Sequence, residues 1–135
     1  MNKLNEIQQN LSVPKNQRND FGGFNYRSCE DILAAVKPLL GEATLTLTDD
    51  LVCIGERYYI KSTATLVDGD KVWFANGFAR EDVEKKGMDL AQLTGSCSSY
   101  SRKYALNGLL LLDDVKDADT MDNREPVEIG KPTDF

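Results

Sequence analysis

The sequence contains no histidine, and its three cysteines are widely separated. Cys29, Cys53 and Cys97 show no CxxC spacing, so a zinc site is nearly excluded, as is any histidine-dependent catalysis. The three thiols are expected to be buried and reduced. We therefore predict no catalytic residues, no metal and no cofactor.

Long apolar runs are also missing. The longest apolar block, Leu109 to Leu112, is far shorter than the ~20 residues of a membrane-spanning helix, and the N-terminus has no apolar signal-peptide core. The GxxxxGKS/T pattern of a P-loop is absent as well, which argues against an ATP motor of that kind. We expect a cytoplasmic protein with no membrane partner.

The formal net charge is −6, which by itself argues against nucleic-acid binding. The distribution of the charges weakens that argument. Residues 113–135 hold eight acids and three bases, whereas residues 1–112 hold fourteen acids and thirteen bases. The body is therefore nearly neutral and can still carry a basic groove. We predict one domain over residues 1–120, followed by an acidic flexible tail over residues 121–135.

Hydrophobic periodicity predicts helices at both ends of the domain and a sheet between them. Apolar side chains at helical spacing indicate a short helix over residues 2–11 and a second over residues 28–41, which Ser28 can cap. Residues 15–27 between these helices are expected to form a polar loop. A long helix is predicted over residues 88–109.

Alternating apolar and polar residues predict the strands of the sheet. The alternating segments are residues 43–48, 51–54, 57–67 and 71–79. The first two are separate strands or one bulged strand, and Asp68-Gly69 is a strong hairpin signal. We predict an α+β fold in which an antiparallel β-meander of three to four strands packs on a long C-terminal helix, with N-terminal helices.

The predicted long helix has two different faces when its residues are placed at about 100° per residue. One face combines short polar side chains with two cations: Gln92, Ser96, Ser99, Arg102 and Lys103. Their amide, hydroxyl and cationic donors suit phosphate oxygens, although an ordinary solvated helix face is the alternative. The opposite stripe is expected to be buried and comprises Leu90, Leu93, Cys97, Tyr100 and Tyr104.

Two further clusters of basic residues are candidates for nucleic-acid binding. Over residues 15–27, basic residues are interleaved with aromatic side chains, which can stack on nucleobases. The alternative is that the aromatic side chains only attach this loop to the core. The candidates in the loop are Lys15, Arg18, Tyr26 and Arg27. The second cluster is Arg80, Lys85 and Lys86, for which a solvated charge run is the alternative.

Four acids just after the long helix can supply oxygen ligands to a divalent cation. They are Asp113, Asp114, Asp117 and Asp119. Their spacing does not match an EF-hand loop, which also needs a glycine and a late glutamate. A solvated acidic linker is the favoured interpretation, and a metal-dependent nuclease is the alternative that these acids leave open.

Several motifs stand in an order and spacing that make chance an unlikely cause. They are Phe21-Gly22-Gly23-Phe24-Asn25-Tyr26-Arg27-Ser28, Gly77-Phe78-Ala79-Arg80-Glu81, Lys86-Gly87-Met88-Asp89, Ala91-Gln92-Leu93-Thr94-Gly95-Ser96 and Ser99-Tyr100-Ser101-Arg102-Lys103-Tyr104. Together they resemble the ERF (essential recombination function) family of phage single-strand annealing proteins. The resemblance covers roughly residues 4–120, and the C-terminal region is shorter and more acidic than in many members.

The resemblance implies a fold similar to the ring-forming annealing recombinases and a role in phage homologous recombination. Such proteins assemble into rings or filaments, bind single-stranded DNA along a basic groove and anneal complementary strands without ATP. By analogy, the groove would lie between the sheet and the long helix, with Arg102 and Lys103 at its wall. The implied partners are single-stranded DNA and further copies of the chain, in the cytoplasm of a bacterial host cell.

The acidic C-terminal region leaves two further interpretations open. Lys131-Pro132-Thr133-Asp134-Phe135 loosely resembles the acidic, phenylalanine-terminated tip of bacterial single-strand-binding proteins. Coincidence is the favoured interpretation, and a host single-strand-binding protein is kept as a candidate partner. The acidic net charge also leaves open a protein-interaction or inhibitor module on the same fold.

Overall fold

The computed structural model describes residues 1–81 and 90–112. Within them, the helices are Lys3–Asn10 (α1), Cys29–Val36 (α2) and Leu90–Leu110 (α3), with a 3₁₀ turn over Lys37–Leu39. The strands are Gln17–Asn19 (β1), Phe24–Tyr26 (β2), Thr44–Ile54 (β3), Arg57–Asp68 (β4) and Lys71–Glu81 (β5). The α+β class predicted from the sequence is confirmed. The predicted tail over residues 121–135 lies outside the described residues.

Strands β3, β4 and β5 form one antiparallel sheet in that order, so the predicted meander is confirmed and has three strands. Each residue of β3 pairs with one residue of β4. The segments predicted over residues 43–48 and 51–54 are therefore one regular strand. The predicted hairpin at Asp68-Gly69 joins β4 to β5.

The sequence predicts a loop over residues 15–27, but β1 and β2 form a small antiparallel hairpin there. Asn19 closes its turn, because its Oδ1 and backbone oxygen accept hydrogen bonds from the N–H groups of Gly22 (2.9 Å) and Gly23 (2.8 Å). Gly23 has a φ of 72°, which glycine adopts without a steric penalty. Strands of three residues are too short to show a clear alternation, so the loop prediction was wrong here.

Helix α2 begins with a capping box that also attaches the hairpin. Ser28 Oγ accepts a hydrogen bond from the backbone N–H of Asp31 (3.1 Å), and the Asp31 carboxylate accepts one from the backbone N–H of Ser28 (2.9 Å). The hydrogen bond from the Ser28 backbone is the main cause that lowers the pKa of Asp31. Gln17 Nε2 in β1 donates to the same carboxylate at 3.2 Å, so the hairpin is tied to the start of α2.

Helix α3 packs directly on the face of the sheet that carries the buried residues of β4. At Gly77 in β5, a side-chain carbon would collide with the backbone of Ser101 and Ala105, so only glycine allows this close approach. Apolar side chains from the three helices and β4 complete the core. The largest of these fully buried side chains are Ile7, Ile32, Val36, Leu66, Leu106 and Leu110.

The predicted burial of Tyr100 and Tyr104 is wrong, since these residues are 51% and 38% exposed. The part of α3 that meets the sheet is formed by Ser101 and Ala105, both fully buried. Small side chains are needed there because the two backbones approach each other at Gly77. A tyrosine ring would not fit in that space. The side chains of Leu90 and Leu93 lie outside the described residues.

The cysteines do not share one environment. Cys29 and Cys97 are buried, as expected, but Cys53 in β3 is exposed. Leu51 and Ile54 beside it are also more than half exposed, so this end of the sheet extends beyond the core. Within the described part of the chain, no helix has the length and apolar character needed to cross a membrane.

Candidate nucleic-acid interface

A cleft of about 290 Å³ opens between α3 and the start of α2. Helix α3 lines it with Ser96, Ser99, Tyr100 and Lys103. The opposite wall is formed by Tyr26, Ser28, Cys29 and Glu30. The structure thus brings together part of the predicted polar helix face and one aromatic residue of the predicted basic loop. The cleft lies beside α2, whereas α3 and the sheet are in direct contact at Gly77.

Lys103 and Tyr26 connect the two walls of this cleft. Lys103 Nζ lies over the Tyr26 ring, 5.2 Å from its centroid, which is within the range of a cation–π interaction. The Tyr26 ring meets Phe24 edge-on, with the ring centroids 6.2 Å apart. A cation is therefore held next to an aromatic ring, a pair of groups that in general can bind a phosphate and stack on a base.

Arg102 is held by Asp49 of β3. The Arg102 Nε lies 3.0 Å from Oδ1 and 3.3 Å from Oδ2 of the Asp49 carboxylate. The same carboxylate accepts hydrogen bonds from the hydroxyls of Ser98 (2.6 Å) and Ser62 (2.7 Å). Burial alone would raise the pKa of Asp49, but the hydrogen bonds from Arg102, Ser98 and Ser62 outweigh it and lower the pKa. Arg102 is thus anchored to the sheet through the Nε edge of its guanidinium.

A chain of hydroxyl groups extends this network into the helix–sheet interface. The buried hydroxyls of Ser62 and Ser101 lie 2.6 Å apart. Because the Ser62 proton goes to Asp49, the single proton of Ser101 is shared between Ser62 Oγ and the Ser98 carbonyl, 3.0 Å away. Both serines are fully buried, so these contacts satisfy hydroxyls that water does not reach. Asp49 is the residue of β3 that pairs with Ser62, and its carboxylate joins this interior chain to Arg102.

The basic residues of the N-terminal segment, Lys15, Arg18 and Arg27, have different surroundings from one another. Arg27 is only 7% exposed, and its Nε donates to the Val13 carbonyl at 2.6 Å, so it supports the chain before the hairpin. Arg18 is exposed on β1 and forms an ion pair with Asp20 at 3.4 Å. Lys15 is half-buried just before β1. Among these loop candidates, Tyr26 is the one that lines the cleft.

Arg80 lies on the face of the sheet opposite α3. Its neighbour Ala79 pairs with the buried Ile60, and successive strand side chains point to opposite faces. The structure therefore does not bring Arg80 to the cleft. Some predicted residues lie outside the described part of the chain, namely Lys85, Lys86, the side chain of Gln92, Asp113, Asp114, Asp117 and Asp119.

Several residues of this region were not among the sequence candidates for DNA binding, among them Ser28, Cys29, Glu30, Asp49 and Tyr100. Asp49 could have been recognised from the sequence. It continues the inward-facing positions of Leu45 and Leu47 in β3, where an apolar residue is expected and an acid is unusual. Glu30 and Tyr100 carried no such signal, since their place in the cleft depends on how α2 and α3 pack.

Comparisons with known proteins give one consistent result. A family model described as the ERF superfamily matches residues 1–132. A curated relative, the essential recombination function protein of Salmonella phage P22, is 56% identical over 123 residues, which cover 91% of this chain and 60% of the relative. The chain therefore spans about 60% of the length of that relative. No solved structure gives a significant match.

Proposed function

Since this chain belongs to the ERF superfamily, we propose that it acts in phage homologous recombination by binding single-stranded DNA and annealing complementary strands. The relative from phage P22 is named for an essential recombination function, which supports this role. The proposed activity is non-enzymatic and needs no ATP, because base pairing itself releases the free energy. Its place is the cytoplasm of the bacterial host cell.

The observation that carries the proposal is the contact between Lys103 and Tyr26 across the cleft. An ammonium group can bind a backbone phosphate, and an aromatic ring can stack on a base whatever its identity. The two groups lie within one nucleotide's reach of each other, 5.2 Å from Nζ to the ring centroid. Ser96 and Ser99 add hydroxyl donors along the same wall.

Arg102 is the second proposed phosphate ligand. The Nε–H group of Arg102 donates to both carboxylate oxygens of Asp49, so the guanidinium is held in one orientation. A phosphate can then approach the two terminal amino groups of Arg102. An oriented guanidinium loses less side-chain entropy on binding than a mobile one. Asp49 therefore acts as a positioning residue for Arg102.

In the proposed mechanism, phosphates bind along α3 and most bases stay exposed to a second strand. The second strand is selected by base pairing with the bound strand and not by protein contacts. Several subunits side by side would extend the binding track, so we propose that the chain works as a ring or filament. A host single-strand-binding protein remains a candidate partner.

Exposed apolar side chains support the proposed self-association. Val72, Phe74 and Phe78 are 57%, 64% and 48% exposed. All three occupy alternate positions of β5, so they share the sheet face that points away from α3. Contiguous exposed apolar patches are a feature of protein–protein contact sites.

Fluorescence anisotropy with a labelled single-stranded oligonucleotide tests the proposal. We expect binding at low salt that weakens linearly on a log–log plot against salt, because phosphate contacts release counterions. No binding at low salt would contradict the proposal. Magnesium-dependent degradation of the oligonucleotide would favour a nuclease, and persistent monomers that bind no DNA would favour a protein-interaction or inhibitor module.

A further inference from the structure

The cleft between α3 and the start of α2 has the size of a site for one nucleobase. Its volume of about 290 Å³ is at the lower limit of small-molecule sites, which span ~300–1,000 Å³. One planar ring system fits this space better than a length of DNA strand does. We propose, on the basis of the proposed function, that the cleft receives one base of the bound strand and that Glu30 selects which base enters.

The charges in the cleft match the two ends of a nucleotide. Among the described residues that line it, the charged ones are Glu30 and Lys103, which cancel each other. A cleft without net charge gives little attraction to a phosphate in its interior. Lys103, which lies over Tyr26 on one side of the cleft, can contact the phosphate, while Glu30 at the start of α2 can contact the base. The nearby charges of Arg102 and Asp49 already neutralise each other.

Aromatic rings and a neutral thiol supply the rest of the binding surface. Tyr26 and Tyr100 line the cleft, and Tyr100 remains half exposed, so its ring is accessible to a base. Burial, with the charge of Glu30 adding to it, raises the pKa of Cys29, so a neutral thiol also lines the cleft. Stacking on such a surface does not distinguish one base from another. Selection must therefore come from a polar group that meets the base edge.

Glu30 is the group that can make this distinction. A carboxylate only accepts hydrogen bonds, so it pairs with bases that present amino groups, as carboxylates do with the cytosine N4 amine. Thymine presents a single N–H group between two carbonyl oxygens, and these oxygens would be repelled by the carboxylate. The proposed site therefore favours cytosine over thymine. The Ser96 and Ser99 hydroxyls can donate or accept and do not reverse this preference.

The test compares the affinities of oligodeoxycytidylate and oligodeoxythymidylate of equal length by fluorescence anisotropy. We expect wild-type protein to prefer the cytosine strand by about two- to tenfold, the range of one net hydrogen bond. In Glu30→Gln this ratio should fall toward one, because the amide both donates and accepts. Glu56→Gln is the matched control, since this substitution makes the same charge change in the exposed turn between β3 and β4. The control should keep the wild-type ratio.

A second measurement reports stacking directly. The fluorescence of 2-aminopurine placed within the cytosine strand should be quenched when wild-type protein binds, because the base stacks on an aromatic ring. Tyr100→Ala should quench it less at saturating protein. A ring that only supports the fold would leave the quenching at saturation unchanged.

The outcomes separate the two proposals. Equal ratios in wild type, Glu30→Gln and Glu56→Gln, with strong binding of both strands, would overturn the base site and leave the single-strand-binding function intact. A ratio that changes equally in Glu30→Gln and Glu56→Gln would also overturn it, because the effect would then be one of overall charge. Failure of wild-type protein to bind either strand would overturn the proposed function itself.

Discussion

Asp49 on β3 and Arg102 on α3 form an ion pair whose Nε–Oδ1 distance is 3.0 Å. The two residues are 53 positions apart in sequence, and their contact fixes the helix that carries the candidate site against the edge strand of the sheet. Their side chains are 26% and 37% exposed, so the pair lies at the border between core and solvent. One acid thereby stabilises the fold and orients a cation of the proposed interface.

Asp49→Asn is expected to reduce the free energy of unfolding at neutral pH by about 1–2 kcal/mol, because it weakens hydrogen bonds to a charged group. The pKa of Asp49 is lowered in the folded protein, so its contribution is present above the unfolded pKa of about 4. That contribution is lost as the pH falls through the lower folded pKa. Urea titrations of both proteins at several pH values measure the difference, which should shrink in acid. A difference that does not change with pH would contradict this role.

Gly77→Ala is expected to lower the free energy of unfolding by about 3 kcal/mol or more, at the upper end of overpacking effects. The added carbon meets helix backbone, which cannot rotate away as a side chain could. Gly95→Ala is the matched control, because nothing lies within 4 Å of a carbon added there. It should instead stabilise α3 by about 0.5–1 kcal/mol. Thermal and urea unfolding of the two variants give the comparison, and similar losses in both would refute the close packing.

Tyr100→Ala is expected to change the free energy of unfolding by less than about 1 kcal/mol, since the residue is half exposed. The substitution should instead lower the affinity for single-stranded DNA by about the stacking free energy of one base. Leu106→Ala provides the contrast, because Leu106 is fully buried and its truncation should cost about 2–5 kcal/mol. A large loss of stability in Tyr100→Ala, measured by urea unfolding, would restore the burial that the sequence suggested.

Phe74→Glu is expected to reduce self-association without unfolding the chain. Phe74 is 64% exposed on the sheet face opposite α3, so the charge costs the isolated subunit little. In a subunit contact it would be buried without a partner, which is strongly unfavourable. Sedimentation velocity of both proteins checks this, with Gln9→Glu on the exposed side of α1 as a control for added charge. An unchanged particle size in Phe74→Glu would show that β5 does not form the contact between subunits.

The described helices and the three long strands were predictable from sequence, and the two three-residue strands were not. Alternation over β3, β4 and β5 and the hairpin at Asp68-Gly69 determined the meander, because each strand has eleven or twelve residues. The β1–β2 hairpin escaped prediction because its strands have three residues each. Its turn is set by hydrogen bonds to Asn19, which the hydrophobic pattern does not record.

The candidate site was predictable only in part, for a different physical reason. The helical wheel correctly placed Ser96, Ser99 and Lys103 on one face, since that depends on helix geometry alone. It could not tell which arc of α3 meets the sheet. That choice is made by the missing side chain at Gly77, which admits small residues and turns Tyr100 outward.

The most direct test of the proposed function is the rate at which the purified protein anneals two complementary labelled oligonucleotides without ATP, followed by energy transfer between the labels. We predict faster annealing than in protein-free buffer, a reduced rate for Lys103→Ala, and a rate near wild type for Lys37→Ala, which removes the same charge from the exposed 3₁₀ turn after α2. Annealing no faster than in buffer, or an equal loss in both variants, would contradict the account.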